Sequence, residues 1–212
     1  MGYKRKSDKV KEQSDIGKIG EDFFLNTIFP IHFLSHKVYI DTKGTQLEKD
    51  KDIDALIFRT DEQININDLN TQNEIKERLS YHTLKNLESQ DFYAIEIKTD
   101  KRITETGNIV YDITSHDKPG GLARSECDFL IYVFLDKNNQ VCKYAIINMF
   151  KLREYIRVNN QLYNVKGSGL KIKDYQDEEN KKDGNSLLLL INIYKLQENK
   201  IAMIKNVVNN SQ

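Results

Sequence analysis

The chain has 212 residues, in which 32 Lys and Arg balance 32 Asp and Glu, with 39% hydrophobic and 30% charged positions. That length suits one domain able to bury a core of its own, and the hydrophobic fraction excludes a wholly disordered chain. Zero net charge excludes a uniformly basic coat, so any nucleic-acid contact has to come from a local basic patch. No apolar run approaches the ~20 residues that span a bilayer. The basic N-terminus lacks the apolar stretch of a signal peptide, and Lys6 stands where a myristoylation motif after Gly2 needs Ser or Thr. Cys127 and Cys142 are too few for a disulfide framework and read as reduced core thiols of a cytoplasmic protein.

Residues 1–14 are polar and rich in lysine and read as a basic N-terminal arm. Ser14 then offers an N-cap, and Ile16, Ile19, Phe23, Phe24 and Ile28 recur at helical spacing up to Pro30, which should end the helix. His36–Asp41 and Asp52–Phe58 read as strands joined by a polar turn. Residues 60–90 change character, with a polar loop and a weak apolar stripe from Ile75 to Leu87, and are expected to form a helical insertion. Asp91–Thr99 reads as a third strand and Tyr111–Ser115 as a fourth short strand or an extended segment. After the Pro119-Gly-Gly121 turn, Leu122–Cys127 suits a short helix. The continuous apolar run Asp128–Leu135 reads as a buried central strand. It is followed by a hairpin partner from Val141 to Ile147 and a helix capped by Asn148. Residues 159–186 read as an irregular polar loop, and Leu187–Tyr194 as the final strand. The whole describes an α/β sandwich in which 15–212 form a single domain, with an insertion at 60–90 and additions from about 159.

One constellation carries chemistry. Strand side chains alternate, so Glu96 and Lys98 project to one side and Ile97 to the other. If the Asp54 strand pairs with theirs, two carboxylates and an ammonium meet. Carboxylates forced together repel one another, and a hard divalent cation relieves that repulsion. Such a cation can polarise a phosphoryl oxygen and acidify a water, with Lys98 placed to orient that water or to stabilise charge in the transition state. A surface strand with ordinary charges is the bland alternative, since Glu-x-Lys is a common triplet.

Asp54 followed by Glu96-x-Lys98 resembles the PD-(D/E)xK nuclease superfamily. Gly17-Lys-Ile-Gly-Glu21-Asp-Phe-Phe is similar to the first helix of these proteins, Lys51-Asp-Ile-Asp54-Ala-Leu-Ile57 to their Asp strand, and Tyr93-Ala-Ile-Glu96-Ile-Lys98-Thr-Asp-Lys101 to their Glu-x-Lys strand. Thr106–Asp112, Ser115, Gly120–Ser125 and Asp128–Tyr132 resemble segments of a phage and mobile-element subgroup, in which Glu stands where this chain has Asp112. The likeness covers roughly residues 12–150. It implies a restriction-endonuclease-like α/β/α sandwich with a mixed central sheet, and a metal-dependent endodeoxyribonuclease. Catalytic residues would be Asp54, Glu96, Lys98 and Glu21, with Mg2+, or Mn2+ in its place, on Asp54 and Glu96. Asp52 competes with Asp54 for the metal, although Asp54 sits better against the apolar run. Glu21 would bind a second metal or a metal-held water, or else is a solvated helix glutamate. Lys101, Arg102, Ser115 and Arg124 would contact nucleic acid, most simply DNA, and two-strand cutting would call for a homodimer. Asp128 is expected to hydrogen-bond backbone amides. The alternative function is a non-cleaving nucleic-acid-binding or assembly module on the same fold. The glycines at 167 and 169 lack the following Lys-Ser/Thr of a phosphate loop, and the four histidines fit no metal motif.

Overall fold

The computed structural model describes residues 6–35, 38–44, 46–58, 92–115, 118–175 and 186–207. The proposed insertion at 60–90 lies outside the described residues, as do His116 and the acidic segment after Tyr175.

The first helix, α1 (Lys6–Phe23), starts well before Ser14, so Ser14 is an internal residue and not its cap. Nor does Pro30 end the helical run. The backbone widens into a π-turn over Phe24–Ile28 and re-forms as α2 (Phe29–His32), with Pro30 in its first turn. Proline has no N–H to give to residue 26 and its ring crowds that carbonyl. A wide turn just before it absorbs both defects.

Four strands and two short helices follow: β1 (Val38–Asp41), α3 (Gln46–Lys51), β2 (Ala55–Phe58), β3 (Phe92–Asp100) and, after α4 (Ile103–Thr106), β4 (Asn108–Ser115). The chain continues through β5 (Lys118–Pro119), α5 (Gly121–Arg124), β6 (Phe129–Leu135), β7 (Val141–Asn148) and α6 (Met149–Val158). It closes with β8 (Leu170–Tyr175), β9 (Ser186–Asn192), α7 (Ile193–Glu198) and β10 (Ala202–Asn206). The structure thus puts a strand, β8, inside the stretch expected to be an irregular loop, and β9 is not the last strand.

A six-stranded sheet has the order β1-β2-β3-β6-β7-β10, and a second sheet of four has the order β5-β4-β9-β8. In the first, β1, β2 and β3 form an antiparallel meander, β6 runs parallel to β3, and β7 and β10 continue antiparallel. The sheet is therefore mixed, and the molecule is α/β.

Alternation sorts the core into two faces. Ile57, Ile95, Ile97, Ile131 and Val133 pack under Phe24, Ile28 and Phe33 of the N-terminal helical run. Leu56, Ala94, Leu130, Tyr132 and Phe134 point the other way, among Ile109, Leu189 and Ile191 of the second sheet and Met149 and Leu152 of α6. An α/β/α sandwich would cover that second face with helices. Here the second sheet covers much of it, with short helices beside it. Asn148 caps α6 as expected, its side chain accepting the Lys151 N–H at 2.9 Å.

Candidate metal centre

The site forms where β2 parts from β3. Asp54 still donates its backbone N–H to the Ile95 carbonyl at 2.9 Å, but the strand ends there, and Ile97 has no β2 carbonyl to meet. The Asp54 side chain takes that place, its Oδ2 accepting the Ile97 N–H at 2.7 Å. The carboxylate thereby lies along the exposed edge of β3, next to Glu96. Burial lifts its pKa to about 6; the Ile97 N–H and Lys98 oppose the shift, and the Asp52 and Glu21 carboxylates add to it.

Glu96 occupies a core position on β3 and is only 2% exposed. Burial pushes its carboxyl up to about 9, with Lys98 pulling it down and Asp54 and Asp52 pushing it further up. One oxygen, Oε1, meets the Lys98 Nζ at 2.5 Å. The other, Oε2, is buried and has no hydrogen-bond partner among the described residues. An orphaned carboxylate oxygen is costly in a protein interior.

Lys98 is half-exposed and also meets Asp52 Oδ2 at 3.4 Å. Burial works against its charge, but the Glu96 and Asp52 carboxylates outweigh it and hold the ammonium protonated.

Asp52 adopts a left-handed backbone (φ 51°). Its side chain is shared between Lys98 and the Arg124 guanidinium, the latter at 3.6 Å. Its carbonyl accepts from Ser125 Oγ at 3.1 Å. Arg153 on α6 secures the same corner by donating to the Ser125 carbonyl at 2.5 Å. Thr42, also buried, donates its hydroxyl to the Ile53 carbonyl and ties the β1–β2 connection to the site.

Two glycines seat α5 against this corner. A side chain at Gly120 would collide with the Asp112 backbone, and a methyl at Gly121 would stand 2.6 Å from Asp52 Oδ2. The Asp112 carboxylate accepts from the N–H groups of Gly121 at 2.6 Å and Leu122 at 3.1 Å. Asp112 therefore anchors the turn that presents Arg124. Asp128 is structural in the expected sense, its Oδ2 accepting the Ala94 N–H at 2.8 Å.

The structure thus brings Asp54, Glu96, Lys98 and Arg124 to one place, with Asp52 as the hub between the two cations. Glu21 stands at the periphery, within electrostatic reach of Asp54 and 3.9 Å from the Lys43 ammonium. Lys101 and Arg102 lie just past the end of β3, and Arg102 lines a cleft on the second sheet with Val110, Lys173 and Leu188. Ser115 closes β4 opposite Lys118, three residues beyond Asp112. The parts sequence reasoning missed are Arg153 and the capping role of Asp112. A hydrophobic helix wheel shows nothing of the former, whereas the latter is foreshadowed by the Gly-Gly pair.

Cys127 is buried and its thiol is pushed up to about 12 by that burial, which keeps it unreactive at neutral pH. Among the described residues, no group of three or more His, Cys, Asp or Glu side chains is preassembled as a metal cage. No helix among them is long and apolar enough to cross a membrane. No family model matches the chain, and no curated protein or solved structure matches it significantly.

Proposed function

We propose that the chain is a metal-dependent nuclease of the restriction-endonuclease-like fold that hydrolyses phosphodiester bonds, with DNA as its target. The observation that carries this reading is the junction of Asp54 and Glu96 beside Lys98, with Glu96 Oε2 buried and unpartnered among the described residues. Two carboxyls, Glu96 buried and Asp54 half-buried, whose pKa values are both raised, one contributing to the other, form a donor set short of one positive charge. A hard oxygen-seeking cation fits it, and Asp54 and Glu96 would hold Mg2+ or Mn2+. When bound, the cation supplies Lewis-acid polarisation of the phosphoryl oxygen and acidifies a water.

The chain's own residues do the rest. Lys98 keeps its proton and places an ammonium beside the reacting phosphate, where it orients the attacking water and offsets charge that grows in the transition state. Asp52 fixes Lys98 and Arg124 at a common separation before substrate enters. A phosphate arriving between them competes for both cations, and Arg124 is suited to grip it in bidentate fashion. The mixed sheet, with its antiparallel meander delivering Asp54 and Glu96 to neighbouring strands, is the frame that the sequence resemblance implies, and it supports that fold assignment.

The test is DNA affinity against salt, with Ca2+ as a non-hydrolytic cation and again with chelator. The carboxylates repel DNA until a cation neutralises them, so affinity should rise on adding Ca2+ and fall as salt is raised. Absence of binding in both conditions, or binding indifferent to salt, would remove nucleic acid as the substrate.

A further inference from the structure

The second sheet has one face committed to the core and one that is not. Its registers define the uncommitted face. Lys171 lies opposite Leu190, which lies opposite Val110; Lys173 lies opposite Leu188, which lies opposite Asp112. These rows share one side, because Ile109, Tyr111, Leu170, Leu189 and Ile191 point into the core. The face therefore has a half-buried aliphatic floor of Val110, Leu188 and Leu190, with exposed lysines along β8.

Two clefts of about 210 and 370 Å³ run across it and share Asn108 and Leu190, so they adjoin. The first reaches Asp100 and Arg102 at the end of β3, two and four residues past Lys98, and also takes in Lys173. The second takes in Lys166 and Lys171. Among the described residues, four cations thus line the clefts against one carboxylate, Asp100, in a chain of zero net charge. That carboxylate is already engaged, with the Arg102 N–H at 2.7 Å and the Tyr132 hydroxyl at 3.4 Å. At its other border, Asp112 joins the face to the turn that carries Arg124 and so to the metal centre.

We propose that this face is the track for a single-stranded nucleic-acid segment flanking the scissile phosphate, an inference that rests on the nuclease reading. Charge complementarity and continuity with the catalytic corner identify the occupant as a polyanion. The aliphatic floor selects a single strand. A duplex turns phosphates and sugars outward and would leave Leu188, Leu190 and Val110 against polar groups, whereas an unpaired strand offers base faces to cover them. Arg102, Lys173, Lys171 and Lys166 take successive phosphates. Lys171 and Lys173 are two residues apart on one side of β8, roughly 7 Å along the strand.

The experiment compares the full chain with Lys166→Gln/Lys171→Gln/Lys173→Gln and with a control, Lys143→Gln/Lys205→Gln, on the far strands of the first sheet. Binding of a 20-nucleotide single strand and its duplex is measured in Ca2+ across a salt series. The triple variant should bind the single strand about tenfold or more weaker. Its log–log salt slope should be shallower by about two, since each phosphate left unneutralised removes roughly 0.7. The control should keep the wild-type slope. Wild-type affinity and slope in the triple variant, or weakening confined to the duplex, would overturn the track while leaving the nuclease reading in place. If the unmodified chain binds neither form, both fall together.

Discussion

Asp54 Oδ2 accepts the backbone N–H of Ile97 at 2.7 Å, so a side-chain carboxylate completes the hydrogen bonding of the strand that carries Glu96 and Lys98. A side chain substitutes for a missing strand partner, and its position is set by the backbone of β3. Asparagine retains an oxygen that can accept the same N–H, while alanine does not. Asp54→Asn should therefore fold with little loss, whereas Asp54→Ala should cost about 1–3 kcal/mol for the unsatisfied amide. Chemical denaturation of both variants in chelator checks the difference, and equal stabilities would remove the structural role.

Glu96 links stability to pH. Its folded pKa, about 9, lies far above the ordinary glutamate value of 4.5. Between these values the folded chain binds more protons than the unfolded one, so stability falls with rising pH. The contribution is fully present below about pH 4.5 and is lost as pH rises through about 9. Glu96→Gln removes the titration, and its melting temperature in chelator should drop less than that of the wild type between pH 5 and 9. Parallel pH profiles for the two proteins would contradict the assigned burial.

In the proposed mechanism Lys98 acts on the reaction and not on the cation. Lys98→Ala should leave Mn2+ affinity within a few-fold of wild type and reduce kcat about a hundred- to a thousandfold, the scale of removing one electrostatic contact to a transition state. Titration calorimetry and single-turnover cleavage separate the two. Unchanged turnover would remove Lys98 from the mechanism.

Gly20 lets α1 approach β3 closely, since a methyl there would collide with the Thr99 hydroxyl, itself buried without a hydrogen-bond partner among the described residues. Gly20→Ala should destabilise by about 1–3 kcal/mol, and adding Thr99→Ala should recover much of that, a non-additive pair measurable by denaturation. Because Glu21 is the next residue, the single variant also shifts the carboxylate that acts on Asp54.

Much of this architecture was legible in the chain. The apolar run Phe129–Leu135 announces a strand covered on both faces, and the parity of Glu96 and Lys98 places them together without any knowledge of the fold. Asp52 and Asp54 were harder to rank, because two-residue spacing puts both on one side; only the left-handed turn at Asp52 separates the carboxylate that pairs with Lys98 and Arg124 from the one that lies along the strand edge. The second sheet went unseen for a different reason. Leu170-Lys-Ile-Lys173 alternates with period two, but its lysines made the segment resemble solvent-exposed loop, whereas lysine on an edge strand discourages pairing with another chain. Pro30 misled in the opposite direction, since a π-turn allows the helix to pass it.

The central claim is hydrolysis of phosphodiester bonds at the Asp54–Glu96–Lys98 corner. Its most direct measurement is cleavage of plasmid and single-stranded DNA by the wild type and by Asp54→Asn, in Mg2+, in Mn2+ and in chelator. The account predicts cleavage by the wild type with either cation, none in chelator, and none by Asp54→Asn under any condition. An intact substrate with the wild type in both cations, or cleavage that survives in Asp54→Asn, would contradict it.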